Sequence, residues 1–502
     1  MSTISLIGKN LRFMIINRIV TLIVSFLIFP YIIMHTGQEI YGVYLTVMTI
    51  TGYFGLLDFG VMSALTKYVS EYNGKGDLKK VNNIINASFT FYILIGIIAA
   101  ILLFFLSKYF TLFFKISIAN IDITRNLFII ASVSAIFVWP LSAFRGTIEG
   151  LNLWNIEAII NMLVQILNGL SAYAIFSKGY GIIHFFISSQ LLTIIGNIAF
   201  FVISKKRTGL NLIFPYVNIN TFKHIFNFSF FMFLSSLLNL FLFQIHNIII
   251  GSFLSMSKVT IYAVAHNIQN YFRYINSTLG GPPWTVASEM EGRGDIDGQR
   301  KLLFKGTKYI TAIFIPMVLI VFFFAEPFIK YWMGPGFEES VLPTKIIVLF
   351  WVFNGTLEMA SGMLSAKGIV KKPLYIHICV AITNIIIGIS LIQYIDINAI
   401  ALGLTISMVF VAFPFLLRLS LNSLQITIRE YFDKAIKDNI LIYALTVVVS
   451  YLTMHLFYPK NLFYAIAEMA SIYVLVIAVL CCLIFMKTEE KLEIKQLLGI
   501  QI

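Results

Sequence analysis

Ser70-Glu71-Tyr72-Asn73-Gly74-Lys75-Gly76-Asp77 returns later in the chain as Ser288-Glu289-Met290-Glu291-Gly292-Arg293-Gly294-Asp295. The shared pattern, Ser-Glu-x-x-Gly-[Lys/Arg]-Gly-Asp, recurs at an offset of 218 residues. The same offset pairs Tyr44 with Tyr262 and Gly150 with Gly368. One offset shared by three separated features marks an internal duplication.

Around these motifs the chain is a series of long apolar runs, and about 20 such residues suffice to cross a bilayer. Spans are read near 13–34, 40–65, 82–107, 126–145, 154–176, 181–203, 226–252, 259–284, 304–326, 343–364, 374–394, 398–420, 439–458 and 462–486. The offset covers six of these spans. Because six is even, the two copies share one orientation and are related by an axis along the membrane normal. The expected fold is an all-α integral membrane protein of about 14 transmembrane helices. A six-helix bundle over 1–210 is repeated over 220–425, and 426–502 adds two further helices and a tail.

Composition agrees. Of the 502 residues, 59% are hydrophobic and 12% charged, against roughly 45–50% and 25% in soluble proteins. Fourteen spans of about 20 residues leave only about 15 for each loop or tail. That excludes an appended nucleotide-binding cassette, a soluble glycosyltransferase domain and a large catalytic outer loop. The longest outer segment, Ser107 to Arg125, holds one carboxylate, Asp122. There is no G-x-x-x-x-G-K-[ST] phosphate loop, no H-E-x-x-H and no paired C-x-x-C. Cys379, Cys481 and Cys482 lie in apolar runs and read as structural. No enzyme, cofactor or metal site is expected.

The net charge of +13 reflects topology rather than a nucleic-acid partner. With the N-terminus inside and helix-end residues counted with the adjoining loop, 27 of the 36 Lys and Arg fall on the cytoplasmic side and 8 on the other, while Arg273 remains within a span. By the positive-inside rule both termini face the cytoplasm. The first apolar run follows Lys9 and Arg12 and lacks a small-residue cleavage site, so it reads as a retained helix.

Ionisable and polar groups inside spans are tolerated where they face protein or water, and they mark candidate pathways. In the first span Asn17, Arg18, Thr21 and Ser25 share a face. Arg18 reads equally as a headgroup anchor that snorkels or as a cavity residue. The eighth span carries the stronger signal: His266, Gln269, Asn270, Arg273 and Asn276 lie on one face. Arg273 is near mid-membrane, where a guanidinium facing a wet cavity can bind phosphate by paired hydrogen bonds. The alternative is an internal ion pair with a carboxylate such as Asp58. Asp58, in Gly55-Leu56-Leu57-Asp58-Phe59-Gly60, reads either as a proton or sodium site or as a cap at a glycine-broken helix. In the fifth span Glu157, Asn161, Gln165 and Asn168 stack on one face. The three amides read as interhelical glue, and Glu157 stays open. Gln244, His246 and Asn247, with His35, lie near interfaces and read as structural. In the duplicated loops the glycines permit a tight turn and the charges mark a cytoplasmic edge. The competing reading makes Glu71, Lys75, Glu289 and Arg293 an inner gate.

The stretch Tyr41-Gly42-Val43-Tyr44, Gly52-Tyr53-Phe54-Gly55-Leu56-Leu57-Asp58-Phe59-Gly60 and Lys67-Tyr68-Val69-Ser70-Glu71, with its counterpart from Tyr262 to Asp295, resembles the polysaccharide-unit flippases of the multidrug/oligosaccharidyl-lipid/polysaccharide export superfamily. These are exporters of O-antigen, capsule and teichuronic-type units, related to drug exporters of the MATE type. The resemblance covers essentially the whole chain and implies a MATE-like layout in a bacterial or archaeal cytoplasmic membrane. It implies a substrate of a short oligosaccharide on a polyprenyl diphosphate, with a proton or sodium gradient as drive. A polysaccharide polymerase and assembly proteins are implied as partners. On this resemblance Arg18 and Arg273, with Asn17, His266, Asn270 and Asn276, would meet the diphosphate and sugar. Asp58 and then Glu157 would couple to the ion. Peptidoglycan-precursor flippases of the superfamily carry more intramembrane arginines than this chain. The rivals are a cation or drug exporter, a membrane polymerase, ligase or lipid-sugar transferase, and a non-transporting scaffold.

Overall fold

The computed structural model describes residues 3–216, 237 and 244–486, and every regular element among them is helical. In lipid each backbone N–H and C=O must be satisfied without water, and a helix does this within its own segment. The chain runs through α1 (Thr3–Thr36), α2 (Gln38–Tyr53), α3 (Val61–Gly74), α4 (Leu78–Tyr109), α5 (Ile121–Gly150), α6 (Trp154–Ser177), α7 (Ile182–Thr208) and α8 (His246–Phe253). It continues through α9 (Met256–Gly292), α10 (Ile296–Met333), α11 (Val341–Ala366), α12 (Lys371–Ile395), α13 (Asn398–Ser407), α14 (Phe413–Ser423), α15 (Ile428–Tyr431), α16 (Ile440–Leu456) and α17 (Leu462–Met486).

Twelve stretches among the described residues are long and apolar enough to cross a membrane, and they correspond to twelve of the fourteen spans read from the sequence. The span expected at 226–252 falls mostly outside the described residues. The one at 259–284 lies in α9, a single helix of 37 residues that is not among the twelve; its apolar stretch is interrupted by His266, Gln269, Asn270, Arg273 and Asn276.

The chain forms two compact units, Met1–Thr260 and Ile261–Ile502. In the first, Leu65 and Val69 of α3, Val81 and Ile85 of α4, Phe144 and Ile148 of α5 and Phe200 of α7 share one buried core. The first residues of α9 belong to this unit because α2 passes so close to them. A Cβ on Gly42 would stand 1.8 Å from the Met256 carbonyl oxygen, and the Thr260 hydroxyl donates to the Gln38 carbonyl at 2.6 Å. Helices associate in lipid through such small-residue contacts and hydrogen bonds. In the second unit Ala312, Ile320 and Phe324 of α10 pack with Ile442 of α16 and Ile472 and Val476 of α17. The two C-terminal helices are thereby fastened to α10.

The span expected at 40–65 is not continuous. After α2 the backbone tightens into a 3₁₀ turn, Phe54–Asp58, then takes left-handed conformations at Phe59 (φ 47°) and Gly60 (φ 78°) before α3 begins. Two successive left-handed residues cannot continue an α-helix.

Candidate functional site

The duplicated loops are the same object twice. At the end of α3 the Gly76 N–H donates to Asn73 O at 3.0 Å and Asp77 N–H to Tyr72 O at 2.9 Å. At the end of α9 Gly294 N–H donates to Glu291 O at 3.0 Å and Asp295 N–H to Met290 O at 2.9 Å. Gly76 and Gly294 are left-handed, with φ of 71° and 69°, the helix-ending conformation that glycine adopts without a Cβ penalty. Each following aspartate caps the next helix. Asp77 accepts from Lys80 N–H at 3.0 Å and Asp295 from Gly298 N–H at 2.8 Å. The Lys80 N–H and then its side chain hold the Asp77 carboxyl below its usual range. Lys75 pairs with Glu71 at 2.5 Å, and Arg293 pairs with Glu289. All four gate candidates therefore stand at exposed helix ends, paired within their own loop.

The pairing of Gly150 with Gly368 does not survive as geometry. Gly150 lies inside α5, where a Cβ would meet the Thr66 carbonyl oxygen and the Val69 Cβ at 2.8 Å. The residue that takes the left-handed turn occupied by Gly368 (φ 69°) is Asn152 (φ 57°). Close approach of α3, not backbone freedom, explains the glycine at 150.

In the first unit Asp58 sits at the break between α2 and α3. Its Oδ1 accepts from Met62 N–H at 3.1 Å and from the Tyr92 hydroxyl of α4. Glu157 is buried in the first turn of α6, where a negative charge complements the helix dipole. Its Oε1 is 2.8 Å from an Arg145 guanidinium nitrogen and also accepts from the Asn161 amide. Arg145 also reaches Glu149 at 3.2 Å. Arg145 and Glu149 were missed as site residues because the fourth span was read as ending at 145; α5 continues to Gly150. Asn17 is half-buried on α1 with its Oδ1 unpartnered among the described residues, and the adjacent Arg18 is exposed. Arg18 lies six residues into the apolar stretch that starts at Arg12, about 9 Å along the helix. A snorkelling arginine can cover that distance.

In the second unit α9 is unbroken, so His266, Gln269, Asn270, Arg273 and Asn276 do lie along one face. His266, Asn270 and Arg273 are half-buried. Gln269 is 1% exposed, and neither amide atom has a hydrogen-bond partner among the described residues. Asn276 is equally buried; its amide donates to Glu358 of α11 at 2.5 Å, and its Oδ1 is unpartnered among the described residues. Glu358, like Arg145 and Glu149, is not among the site residues expected from the sequence. Its signal is present in the sequence, as the lone carboxylate inside the span read at 343–364. Buried amide atoms without protein partners are uncommon, and they mark places where water or a ligand completes the hydrogen bonding.

The fold is that of transporters of the MOP superfamily. The structure matches the lipid II flippase MurJ in an inward closed conformation, with a TM-score of 0.69 and 18% identity over 94% of this chain and 98% of that one. An inward-facing multidrug resistance MATE transporter of the MOP superfamily matches with a TM-score of 0.67 and 14% identity, over 81% and 95% of the two chains. A MOP superfamily transporter from Pyrococcus furiosus, whose binding pocket is described as of reverse polarity, gives 0.55 and 14%, over 84% and 96%. No curated protein matches the chain in sequence. The profile of the family described as polysaccharide biosynthesis protein matches residues 36–342, more than half of the chain. The chain belongs to that family, and it is a multi-pass membrane protein with a transporter fold.

Proposed function

We propose that the protein moves a short oligosaccharide carried on a polyprenyl diphosphate from the cytoplasmic to the outer leaflet, by alternating access between two like-oriented six-helix halves, 1–210 and 220–425. The headgroup cannot cross hydrocarbon cheaply, whereas the polyprenyl tail never needs to leave it. The observation that carries this reading is the polar face of α9, with Arg273 among buried amides whose hydrogen bonds are incomplete. A guanidinium offers the paired donors that a diphosphate accepts, and amides suit sugar hydroxyls. Arg18, Asn17, His266, Asn270 and Asn276 complete the proposed substrate surface. Membership of a polysaccharide biosynthesis family supports the substrate class.

A proton or sodium gradient supplies the drive, with Asp58 as first coupling candidate and Glu157 second. Glu358, hydrogen-bonded to Asn276 on the same polar face, is a third. Glu71, Lys75, Glu289 and Arg293 mark the cytoplasmic edge rather than a gate, the reading that their pairing within each loop supports. Both termini face the cytoplasm of a bacterial or archaeal cell, and the product passes to a polysaccharide polymerase. The cluster of Asp58, Glu149 and Glu157 in the first unit favours a second reading, export of a drug or other cation.

Purified protein in proteoliposomes tests this. Flipping of a defined diphospho-polyprenyl oligosaccharide, driven by an imposed gradient, is the expected result. Its absence, together with gradient-driven efflux of an organic cation, would establish the second reading. Asp58→Asn should leave flipping independent of the imposed gradient; an unchanged dependence removes Asp58 from coupling.

A further inference from the structure

Helix α10 has 38 residues, so it is about 57 Å long, almost twice the roughly 30 Å thickness of a bilayer's hydrocarbon core. Continuous apolar sequence begins near Ile310, which leaves the first turns of α10 outside the hydrocarbon. On those turns Arg300, Lys301, Lys305 and Lys308 lie within about 140° of one another around the axis. Facing them is the segment from α15 through the π turn Phe432–Ile436, with Glu430 and Lys434. The two segments, both in the second unit, enclose a cavity of about 510 Å³ whose lining holds five cationic side chains and two acidic ones. That volume falls within the roughly 300–1,000 Å³ of small-molecule sites.

The cavity is built rather than incidental. Arg300 is held by the Leu424 carbonyl at 2.7 Å and by Asp297 at 3.2 Å. Lys434 pairs with Glu430 at 2.8 Å and lies over the Phe304 ring at 5.1 Å. Lys308 pairs with Asp438 at 2.8 Å. Lys301 and Lys305 are exposed on the same side, one helical turn apart, and the cations outnumber the acids. Phe304 and Tyr309 of α10 line the same cavity. A cationic cavity with aromatic walls, beside the point where the apolar sequence begins at Ile310, suits a ligand that is anionic at one end and hydrocarbon at the other.

We propose that this cavity binds the phosphate-bearing headgroup of a membrane lipid, with Arg300, Lys301 and Lys305 on the phosphate and Phe304 and Tyr309 against the start of the chains. The site is separate from the polar face of α9, and the proposal does not depend on the transport reading.

The test is titration of the full-length protein with phosphatidylglycerol, followed by native mass spectrometry. Lys301→Ala/Lys305→Ala should weaken lipid retention about tenfold, and Lys305→Gln alone should weaken it less. Lys301→Arg/Lys305→Arg should retain it. Lys205→Ala/Lys206→Ala, on α7, should leave it unchanged. Thermal unfolding of each variant separates lost binding from lost structure. Competition identifies the lipid. Resistance to polyprenyl diphosphate assigns the site to bilayer phospholipid, and displacement by it assigns the site to an isoprenoid lipid. Either supports a lipid headgroup site. Wild-type retention by the Lys301→Ala/Lys305→Ala protein would overturn it, as would an equal loss in the α7 variant, or inorganic diphosphate competing as well as either lipid.

Discussion

The two motif loops and the two polar interiors teach opposite things about the duplication. At 70–77 and 288–295 the turns repeat bond for bond, down to the left-handed glycine and the capping aspartate. Inside the units the described polar groups do not correspond in the same way. In the first, carboxylates are engaged within the unit: Asp58 by Tyr92 and Met62, Glu157 by Arg145 and Asn161. In the second, α9 carries amides with incomplete hydrogen bonding, and one carboxylate, Glu358, meets Asn276. A turn is determined by a few residues and survives divergence easily. A polar interior depends on partners from several helices and can be rebuilt in each copy.

The comparison can be broken at several points. The largest effect is expected from Gly42→Leu, because the Met256 carbonyl leaves no room for a side chain. The loss should be about 4 kcal/mol or more, read as failure to purify as a monodisperse species. Gly55→Ala, with nothing near its Cβ position, should purify normally.

Arg273→Ala should reduce flipping by about 10- to 100-fold, the loss of one or two charge-assisted hydrogen bonds, with unfolding unchanged. Arg273→Lys should recover only part of it if paired geometry matters. Full recovery would reduce the role to charge alone and blur the contrast between the units.

Arg145→Ala should act the other way, on stability more than transport. It leaves Glu157 buried without its cation, but Arg145 is itself half-exposed, so the cost is about 1–2 kcal/mol. A thermal midpoint equal to wild type would show that Asn161 alone satisfies Glu157.

Asp77→Ala and Asp295→Ala should produce the smallest changes, and matched ones, since each removes the same cap. The folded-state pKa of Asp77 lies below the ordinary aspartate value. Its stabilisation is therefore complete above that ordinary value and disappears as pH falls through the lowered one. The midpoint deficit of Asp77→Ala should vanish over that acidic window. Unequal deficits for the two caps at neutral pH would show that the loops are alike in shape but not in load.

Much of this was legible in the sequence, and for local reasons. Twelve apolar runs became helices because lipid offers the backbone no other partner. The loops followed from glycine's access to positive φ and the reach of an aspartate to the next N–H. The shared face of His266 to Asn276 followed from helical period once α9 proved continuous. Other features were beyond reach. Gly150 pairs with Gly368 by offset but is a packing residue, which requires knowing that α3 lies against it.

Sequence alone thus determined the all-helical membrane class, the repeated loop and the positions of polar groups along the helices, because backbone satisfaction and helical period act over a few residues. Only the tertiary structure decided what those groups touch. Tyr92 reaches Asp58 from 34 residues away and Glu358 reaches Asn276 from 82. Such pairs exist only after helices have packed, and packing depends on the shape of whole helix faces rather than on any motif.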